Sequence, residues 1–544
     1  MHRNIIIGPP GTGKTTYLKN KVQELLRSGA CRSQEIGYFS FTVKAAEEIR
    51  DRIVADFDEK YTKETVKIAF PYFSTLHSLA YKRLKLRSDQ VMDESDYESL
   101  SELTGHEYVN KMKKGNGVDI AMPSAKSEYQ DIINLAYAKY PDDDDRLVKV
   151  FKERMLNHYG ARNTIEQMDA DLLKFKSDRD KFEYVDFFTH FIKQKSAPQL
   201  KYLFVDEAQD LSAQQWQVVD MLQKESGALE TYVAGDDDQA IFRWAGADIE
   251  HFIGMANDNR NTIIQLKQSY RIPQSVHSLA TNLAQSISKR ITKEYQPREE
   301  EGVRKVLNIR PFKTLLQEGD WLILCRTHEI VKNVCETLEM YGFLYKRYGH
   351  SVINFKYIEA IRAWTKLQKG EKISGVECDT LYNYMDSTRI KRNYGVFKGQ
   401  PEGFYNIDDL INEHGLREQI TIKKEIRDVK DIPWYEILNA KGFLKRIAYL
   451  RSMMRSGFKL EEKPRIEVST IHASKGGERQ KVMLLTDLSM GPYRSYKESV
   501  QGRDDEARVF YVGATRAKEE LYIIHRVDGQ HEYEPIFHYE RQAS

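Results

Sequence analysis

The chain has 544 residues, which at roughly 150 residues per domain allows three or four domains with sizeable cores. Hydrophobic residues make up 41% and charged residues 30%, a soluble globular composition, and no apolar run approaches the roughly 18 residues of a membrane-spanning helix. A formal net charge of +2 excludes a wholly basic, histone-like binder but leaves room for a local basic groove.

The first residues, Met1 to Ile7, are too short for a signal peptide. Cys31, Cys325, Cys335 and Cys378 are too few and too badly spaced for a zinc or iron–sulfur site, and read as reduced thiols. The expected location is therefore cytoplasmic, a host cytoplasm or the nucleoid included. Ile5-Ile6-Ile7 reads as a buried parallel strand. It runs into Gly8-Pro9-Pro10-Gly11-Thr12-Gly13-Lys14-Thr15, which fits G-x-x-x-x-G-K-[ST], and a helical pattern follows at Leu18, Val22, Leu25 and Leu26. The glycines let backbone N–H groups curl around phosphate oxygens, and the helix N-terminus adds a favourable dipole. Lys14 would reach the β- and γ-phosphates of ATP, and Thr15 would ligate Mg²⁺.

Tyr38 to Phe41 reads as the next strand, with Ala45, Ala46, Ile49 and Ile53 on one helical face. From about Ala80 to Ala197 the chain is charged, aromatic-rich and mostly helical in pattern; its acidic run Asp142 to Asp145 reads as a solvated turn. Leu203-Phe204-Val205 is a strand that ends on Asp206 and Glu207. Asp206 would hold Mg²⁺ through its water shell, and Glu207 would orient and deprotonate an attacking water. Ser212 with Gln215 forms a capping box, with Gly227 as the helix stop. Further strands are read at Thr231–Ala234, Leu322–Leu324, Val482–Leu485 and Leu521–Ile524. A helix is read on Val276, Leu279, Ala280, Leu283 and Ile287, and a second polar insertion from about Lys372 to Phe458. Strands alternating with helices imply an α/β fold.

Asp206-Glu207-Ala208-Gln209-Asp210 strongly resembles motif II of superfamily 1 helicases of the UvrD/Rep/PcrA type. The resemblance continues in family order: Phe41 to Ala46 resembles motif Ia, Ser74 to Ser78 motif Ib, Ala234 to Trp244 motif III, and Gln268 to Arg271 motif IV. Ser469 to Gly476 resembles motif V and Tyr511 to Lys518 motif VI. It implies two RecA-like P-loop domains with mostly helical insertions: domain 1A in residues 1–79 and 198–270, insertion 1B in 80–197, domain 2A in 271–371 and 459–544, and a reduced insertion 2B in 372–458. It also implies that Arg271 and Arg516 reach ATP from the second domain, that Gln239 senses the γ-phosphate, that Tyr270 stacks on adenine and that Glu478 bonds the ribose. By the same resemblance Phe41, Phe242 and Trp244 stack on bases, and Thr42, Lys44, Thr75, His77 and His472 contact the strand backbone. ATP and Mg²⁺ are the implied cofactors. The implied partners are single-stranded DNA and its junctions with duplex, with no membrane. The implied activity is 3′→5′ unwinding, the alternative being a DNA-stimulated translocase that displaces proteins or works in a complex.

The chain departs from the family pattern in four places. Only seven residues precede Gly8, leaving no room for an upstream glutamine motif, and Thr16 stands where an arginine often packs on the base; looser discrimination among NTPs is expected. Ala245 replaces the arginine that commonly follows the motif III aromatic, and Gly477 the usual leucine of motif V. With a short second insertion and little chain beyond motif VI, no C-terminal partner-binding module is expected.

Overall fold

The computed structural model describes residues 2–56, 62–109, 128–153, 159–308, 311–394, 396–422, 424–438, 444–455, 463–526 and 531–537; parts of both expected insertions lie outside them. Contacts divide the chain into two units. One is Met1–Arg304 with Met490–Glu519 and Tyr533–Ser544, and the other is Lys305–Ser489 with Glu520–Glu532. Among the described residues no helix is long and apolar enough to cross a membrane.

The first unit is built on a parallel sheet of six strands: β1 (Asn4–Ile7), β2 (Ile36–Phe39), β3 (Phe73–Ser74), β4 (Tyr202–Val205), β5 (Glu230–Gly235) and β6 (Thr262–Gln265). Their order is β3-β2-β4-β5-β1-β6, with Ile5 opposite Val233 on one side and Ile263 on the other. Short runs of branched and aromatic residues suit strands covered on both faces. Alternate residues therefore enter different cores. Ile5, Ile7, Phe39, Leu203, Val205 and Val233 join one cluster. Ile6, Tyr38, Phe204 and Tyr232 join the other. On the second face four rings lie in register across neighbouring strands: Phe73 on Tyr38 at 5.5 Å, Tyr38 on Phe204 at 6.1 Å and Phe204 on Tyr232 at 4.9 Å, all close to coplanar.

Helices α1 (Lys14–Arg27) and α2 (Val43–Ala55) cover that aromatic face. After α3 (Lys63–Ala69), α4 (Leu76–Leu84) packs on the opposite face. The first insertion then adds α5 (Glu94–Thr104), α6 (Glu128–Lys139), α7 (Arg146–Glu153) and α8 (Tyr159–Arg179). They close around a separate core of Tyr97, Leu100, Ile132, Ile133, Val150, Met168 and Leu172. Asp142 to Asp145 lie in the turn between α6 and α7, as read. Helices α9 (Tyr184–Gln194) and α10 (Ala213–Glu225) return to the sheet. The expected box at α10 is present: Gln215 N donates to Ser212 Oγ at 3.2 Å and Ser212 N to Gln215 Oε1 at 2.8 Å. Gly227 follows the helix at φ 78°, the left-handed turn a glycine supplies.

The second unit carries a seven-stranded sheet with strands β7 (Val303–Leu307), β8 (Trp321–Cys325), β9 (Tyr345–Arg347), β10 (His350–Ser351), Ile466–Thr470, Arg479–Leu485 and Ala517–Ile524. Strand β8 is central, with Ile466–Thr470 and Arg479–Leu485 parallel to it on either side. One core runs from Trp321, Ile323 and Met483 through Trp364 to Leu381, Leu410 and Trp434 of the second polar stretch. Trp364 Nε1 donates to Ile432 O at 2.9 Å. The second stretch is thus fused to its sheet, whereas the first insertion owns its core. All four cysteines are free thiols, and all are buried.

Candidate active site

The glycine-rich loop joins β1 to α1 at the carboxyl edge of the sheet. Gly11 and Gly13 have φ of 75° and 85°, conformations that need glycine. A Cβ on Gly11 would also collide with Arg271 and meet Ser269 Oγ at 2.9 Å, so the loop presses against the segment carrying motif IV. There Ser269 Oγ donates to Pro10 O at 2.8 Å and Tyr270 N to Gly11 O at 2.9 Å. Lys14 is buried and its Nζ donates to Gly8 O at 2.6 Å.

Asp206 follows β4 and is buried. Thr15 Oγ1 donates to its Oδ2 at 2.8 Å, Tyr38 OH to the same oxygen at 3.0 Å, and Glu207 N to Oδ1 at 2.9 Å. Burial, and next the charge of Glu207, push the Asp206 carboxyl above the ordinary carboxylate range. A hydroxyl that spends its proton on Asp206 still has lone pairs to offer, so Thr15 and Asp206 form a hard-oxygen donor set that fits Mg²⁺. Glu207 sits at φ 55°, a strained left-handed position for a non-glycine residue at a strand end. Buried Gln209 steadies it: its Nε2 donates to Glu207 Oε2 at 2.6 Å, while its Oε1 accepts from Asp236 N at 3.0 Å.

Strand β5 ends in Asp236-Asp237-Asp238-Gln239. Three consecutive buried carboxylates are tolerable only when paired. Buried Lys293 contacts all of them, at 2.6 Å to Asp236, 2.5 Å to Asp237 and 2.8 Å to Asp238. Arg290 adds a two-pronged contact to Asp238 at 2.9 and 2.6 Å. Arg508 Nε donates to Asp237 O at 3.0 Å, and Ser288 Oγ to Asp504 Oδ2 at 2.6 Å. Burial opposes the charge on Lys293, but Asp236, Asp238 and Asp237 together hold its pKa above the ordinary lysine range. Burial likewise opposes the charge on Asp236, and Lys293, then Lys14, hold that carboxyl below its ordinary value. Gln239 Nε2 donates to Asp236 Oδ2 at 2.7 Å, and Arg516 NH2 donates to Gln239 Oε1 at 3.2 Å.

The sequence reading had Arg271 and Arg516 arriving from the second domain. By contact, residues 271–304 and 490–519 belong to the first unit. The physical reason is the set of buried ion pairs and hydrogen bonds that Lys293, Arg290, Arg508 and Ser288 make inside it. Tyr270 is 72% exposed, a face open to stacking, and Thr16 is exposed on α1. Glu478 and His472 lie in the second unit, each half-buried, on the segment after strand Ile466–Thr470.

Of the residues expected to grip nucleic acid, Phe41, Thr42, Lys44, Thr75 and His77 follow β2 and β3, and Phe242 and Trp244 follow β5. Phe41 stacks on Phe242 at 5.3 Å, and Trp244 meets Phe242 edge-on at 6.3 Å. Phe242 is buried; Phe41 and Trp244 are half-buried. Thr42 and Thr75 cap α2 and α4, accepting from Ala45 N at 3.1 Å and Ser78 N at 3.2 Å, and Lys44 is exposed on α2. Two helix N-termini so placed favour phosphate. His77 packs on Phe188 at 4.1 Å, and burial pushes its pKa down to about 4. Its ring is therefore neutral near pH 7 and contributes no positive charge to a phosphate site. Sequence reasoning gave no role to Tyr38, Gln209, Lys293, Arg290 or Arg508. Gln209 alone had a signal, its place in the motif II string.

Residues 2–260 match the family model of the UvrD/REP helicase N-terminal domain, and residues 465–524 that of the UvrD-like helicase C-terminal domain; between them they span more than half the chain. Similar proteins match almost end to end. The ATP-dependent DNA helicase PcrA of Bacillus subtilis (strain 168) is 23% identical, covering 95% of this chain and 80% of its own length. The ATP-dependent DNA helicase Rep of Buchnera aphidicola subsp. Schizaphis graminum is 22% identical, covering 95% and 90%. A probable DNA helicase II homolog of Rickettsia conorii is 22% identical, covering 98% and 92%.

Proposed function

Because the chain belongs to the UvrD/Rep/PcrA family of superfamily 1 helicases, we propose that it is an ATP-driven DNA helicase that moves 3′→5′ on single-stranded DNA and opens duplex at the junction. The observation that carries the chemistry is the 2.8 Å bond from Thr15 to Asp206, which brings the phosphate loop and the acidic strand end into one site. Lys14 binds the β- and γ-phosphates. Thr15 and Asp206 would hold Mg²⁺, which would neutralise phosphate charge as the β-phosphate oxygen of ATP leaves. Glu207, fixed by Gln209, takes the proton of the attacking water. Arg271 and Arg516 stabilise charge that builds on the transferred phosphoryl group, and Gln239 links Arg516 to the loop after β5. Tyr270 stacks on the base, with Thr16 beside the loop.

Phe41, Phe242 and Trp244 stack on bases while the N-termini of α2 and α4, with Lys44, hold phosphates, and His77 lines the same track. Residues 1–79 and 198–270 act as domain 1A and 80–197 as 1B, while 2A and 2B lie in the second unit, Lys305–Ser489 with Glu520–Glu532. Strand displacement on 3′-tailed and 5′-tailed duplexes tests the reading. Unwinding confined to the 3′-tailed substrate supports it, and unwinding only from a 5′ tail overturns the polarity. The fused second stretch favours one alternative, a translocase that needs a partner to unwind. DNA-stimulated ATP hydrolysis without strand displacement would select that alternative.

A further inference from the structure

Tyr38 lies outside every phosphate, acid or base motif, yet it touches the reacting end of the sheet. Its ring is fully buried and held between Phe73 and Phe204 by the register of β3, β2 and β4. That stack fixes where its hydroxyl falls: 3.0 Å from Asp206 Oδ2, the oxygen that also accepts from Thr15 at 2.8 Å. Glu207 N holds the opposite oxygen at 2.9 Å. Of the three donors, Thr15 is a ligand candidate and Glu207 N is a neighbour's backbone. Tyr38 is the donor whose hydroxyl, among the described residues, bonds only the carboxylate.

We propose that Tyr38 is a positioning residue for the nucleotide-bound divalent cation, setting the orientation of the Asp206 carboxylate through a hydroxyl clamped by the aromatic ladder. The proposal rests on the reading of Thr15 and Asp206 as the Mg²⁺ donor set. Without the phenol, the carboxylate rotates about its Cβ–Cγ bond, and only some of its orientations face the cation. The loss is that of one hydrogen bond to a charged group, on the order of tenfold in metal dependence.

Tyr38→Phe keeps the ring and removes only the oxygen. In the full chain, Mg²⁺ is titrated in two assays: ATP turnover with saturating single-stranded DNA, and fluorescence of a labelled ADP bound without turnover. The expected result is an Mg²⁺ half-saturation raised about tenfold in both assays, with turnover at saturating Mg²⁺ and the metal-free melting temperature close to the parent's. Unchanged Mg²⁺ half-saturation in both assays overturns the proposal. So does a fall in turnover that Mg²⁺ cannot restore, since the ring change then acts on something other than cation binding. Thr15→Val is the control for the underlying reading. If the parent's nucleotide binding shows no Mg²⁺ dependence, or Thr15→Val leaves it unaltered, the donor set itself is wrong, a failure distinct from an unaffected Tyr38→Phe.

Discussion

Two carboxylate groups stand at the ends of adjacent strands, and the protein treats them in opposite ways. Asp206 and Glu207, after β4, receive hydroxyl and amide donors but no cation within the hydrogen bonds of the Asp206 carboxylate. Burial and mutual repulsion leave Asp206 reluctant to ionise. Asp236, Asp237 and Asp238, after β5, are more crowded, yet Lys293 and Arg290 pair with them; Asp236 is held below its ordinary value, while burial still pushes Asp237 above its own. A buried negative charge that the chain does not compensate is a binding site for something positive. One that the chain pairs with its own buried cations is a fastening. The same residue type, one strand apart, serves chemistry in one place and architecture in the other.

Substitutions sharpen this contrast. The largest effect is expected for Lys14→Ala, which removes the phosphate-binding cation and should abolish ATP turnover while the fold survives; DNA-stimulated hydrolysis in this variant would remove the site from β1 altogether. Next is Lys293→Met, which strands the buried carboxylates of Asp236 and Asp237 and leaves Asp238 to Arg290. Breaking a buried pair in this way costs about 3–5 kcal/mol, read as a lower urea midpoint with little change in slope. Near-normal stability would mean the triad is not a fastening. Asp206→Asn should behave oppositely, leaving the nucleotide-free protein as stable as the parent or more so, because it deletes a charge that burial disfavours. It should still lose Mg²⁺-dependent nucleotide binding. A large drop in its melting temperature would erase the distinction between the two groups.

Smaller effects test the DNA track. Trp244→Ala should weaken single-strand binding by about 1–3 kcal/mol, measured by fluorescence anisotropy at fixed salt. Unaltered affinity would make Trp244 a packing residue. His77 offers a pH test. Its folded pKa of about 4 lies below the unfolded value of 6.5, so the unfolded chain binds the extra proton between them. The stability tied to a neutral ring is present above pH 6.5 and is lost as pH falls toward 4. Relative to His77→Gln, the parent should lose stability across that window, and parallel curves would mean the ring titrates normally.

The sequence made the phosphate loop and the acidic pair legible because contiguous motifs carry their own geometry. The eight residues Gly8 to Thr15, set between a strand and a helix, dictate a backbone. The parallel α/β fold was legible from short branched runs. Strands β3 and β6 escaped notice, one for having two residues and the other for its exposed start at Thr262 and Ile263. Lys293 was illegible for a different reason. It stands 57 residues from Asp236, in a stretch with no motif, and only folding shows that it is buried. That pairing draws residues 271–304 into the first unit, a partition that local periodicity cannot express. Thr75 and His77 carried two readings at once. A cap and a packed ring use the same atoms that a DNA contact would, and sequence does not rank those uses.

Gly235, the last residue of β5, gives the site an unusual kind of brittleness. Its carbonyl accepts from Gly8 N at 3.2 Å. The space a side chain would fill is taken by Gln209 Oε1 at 2.8 Å and Phe252 at 2.7 Å. The phosphate loop and the glutamine bonded to Glu207 therefore meet at one glycine. Most positions in a protein can drift, with a neighbour changing later to compensate. Here even a methyl group would disturb two neighbours in two segments at once, Gln209 after β4 and Phe252 beyond β5, so a compensating change at either would leave the other collision standing. Gly235 is thus a position whose side-chain space is already taken twice over.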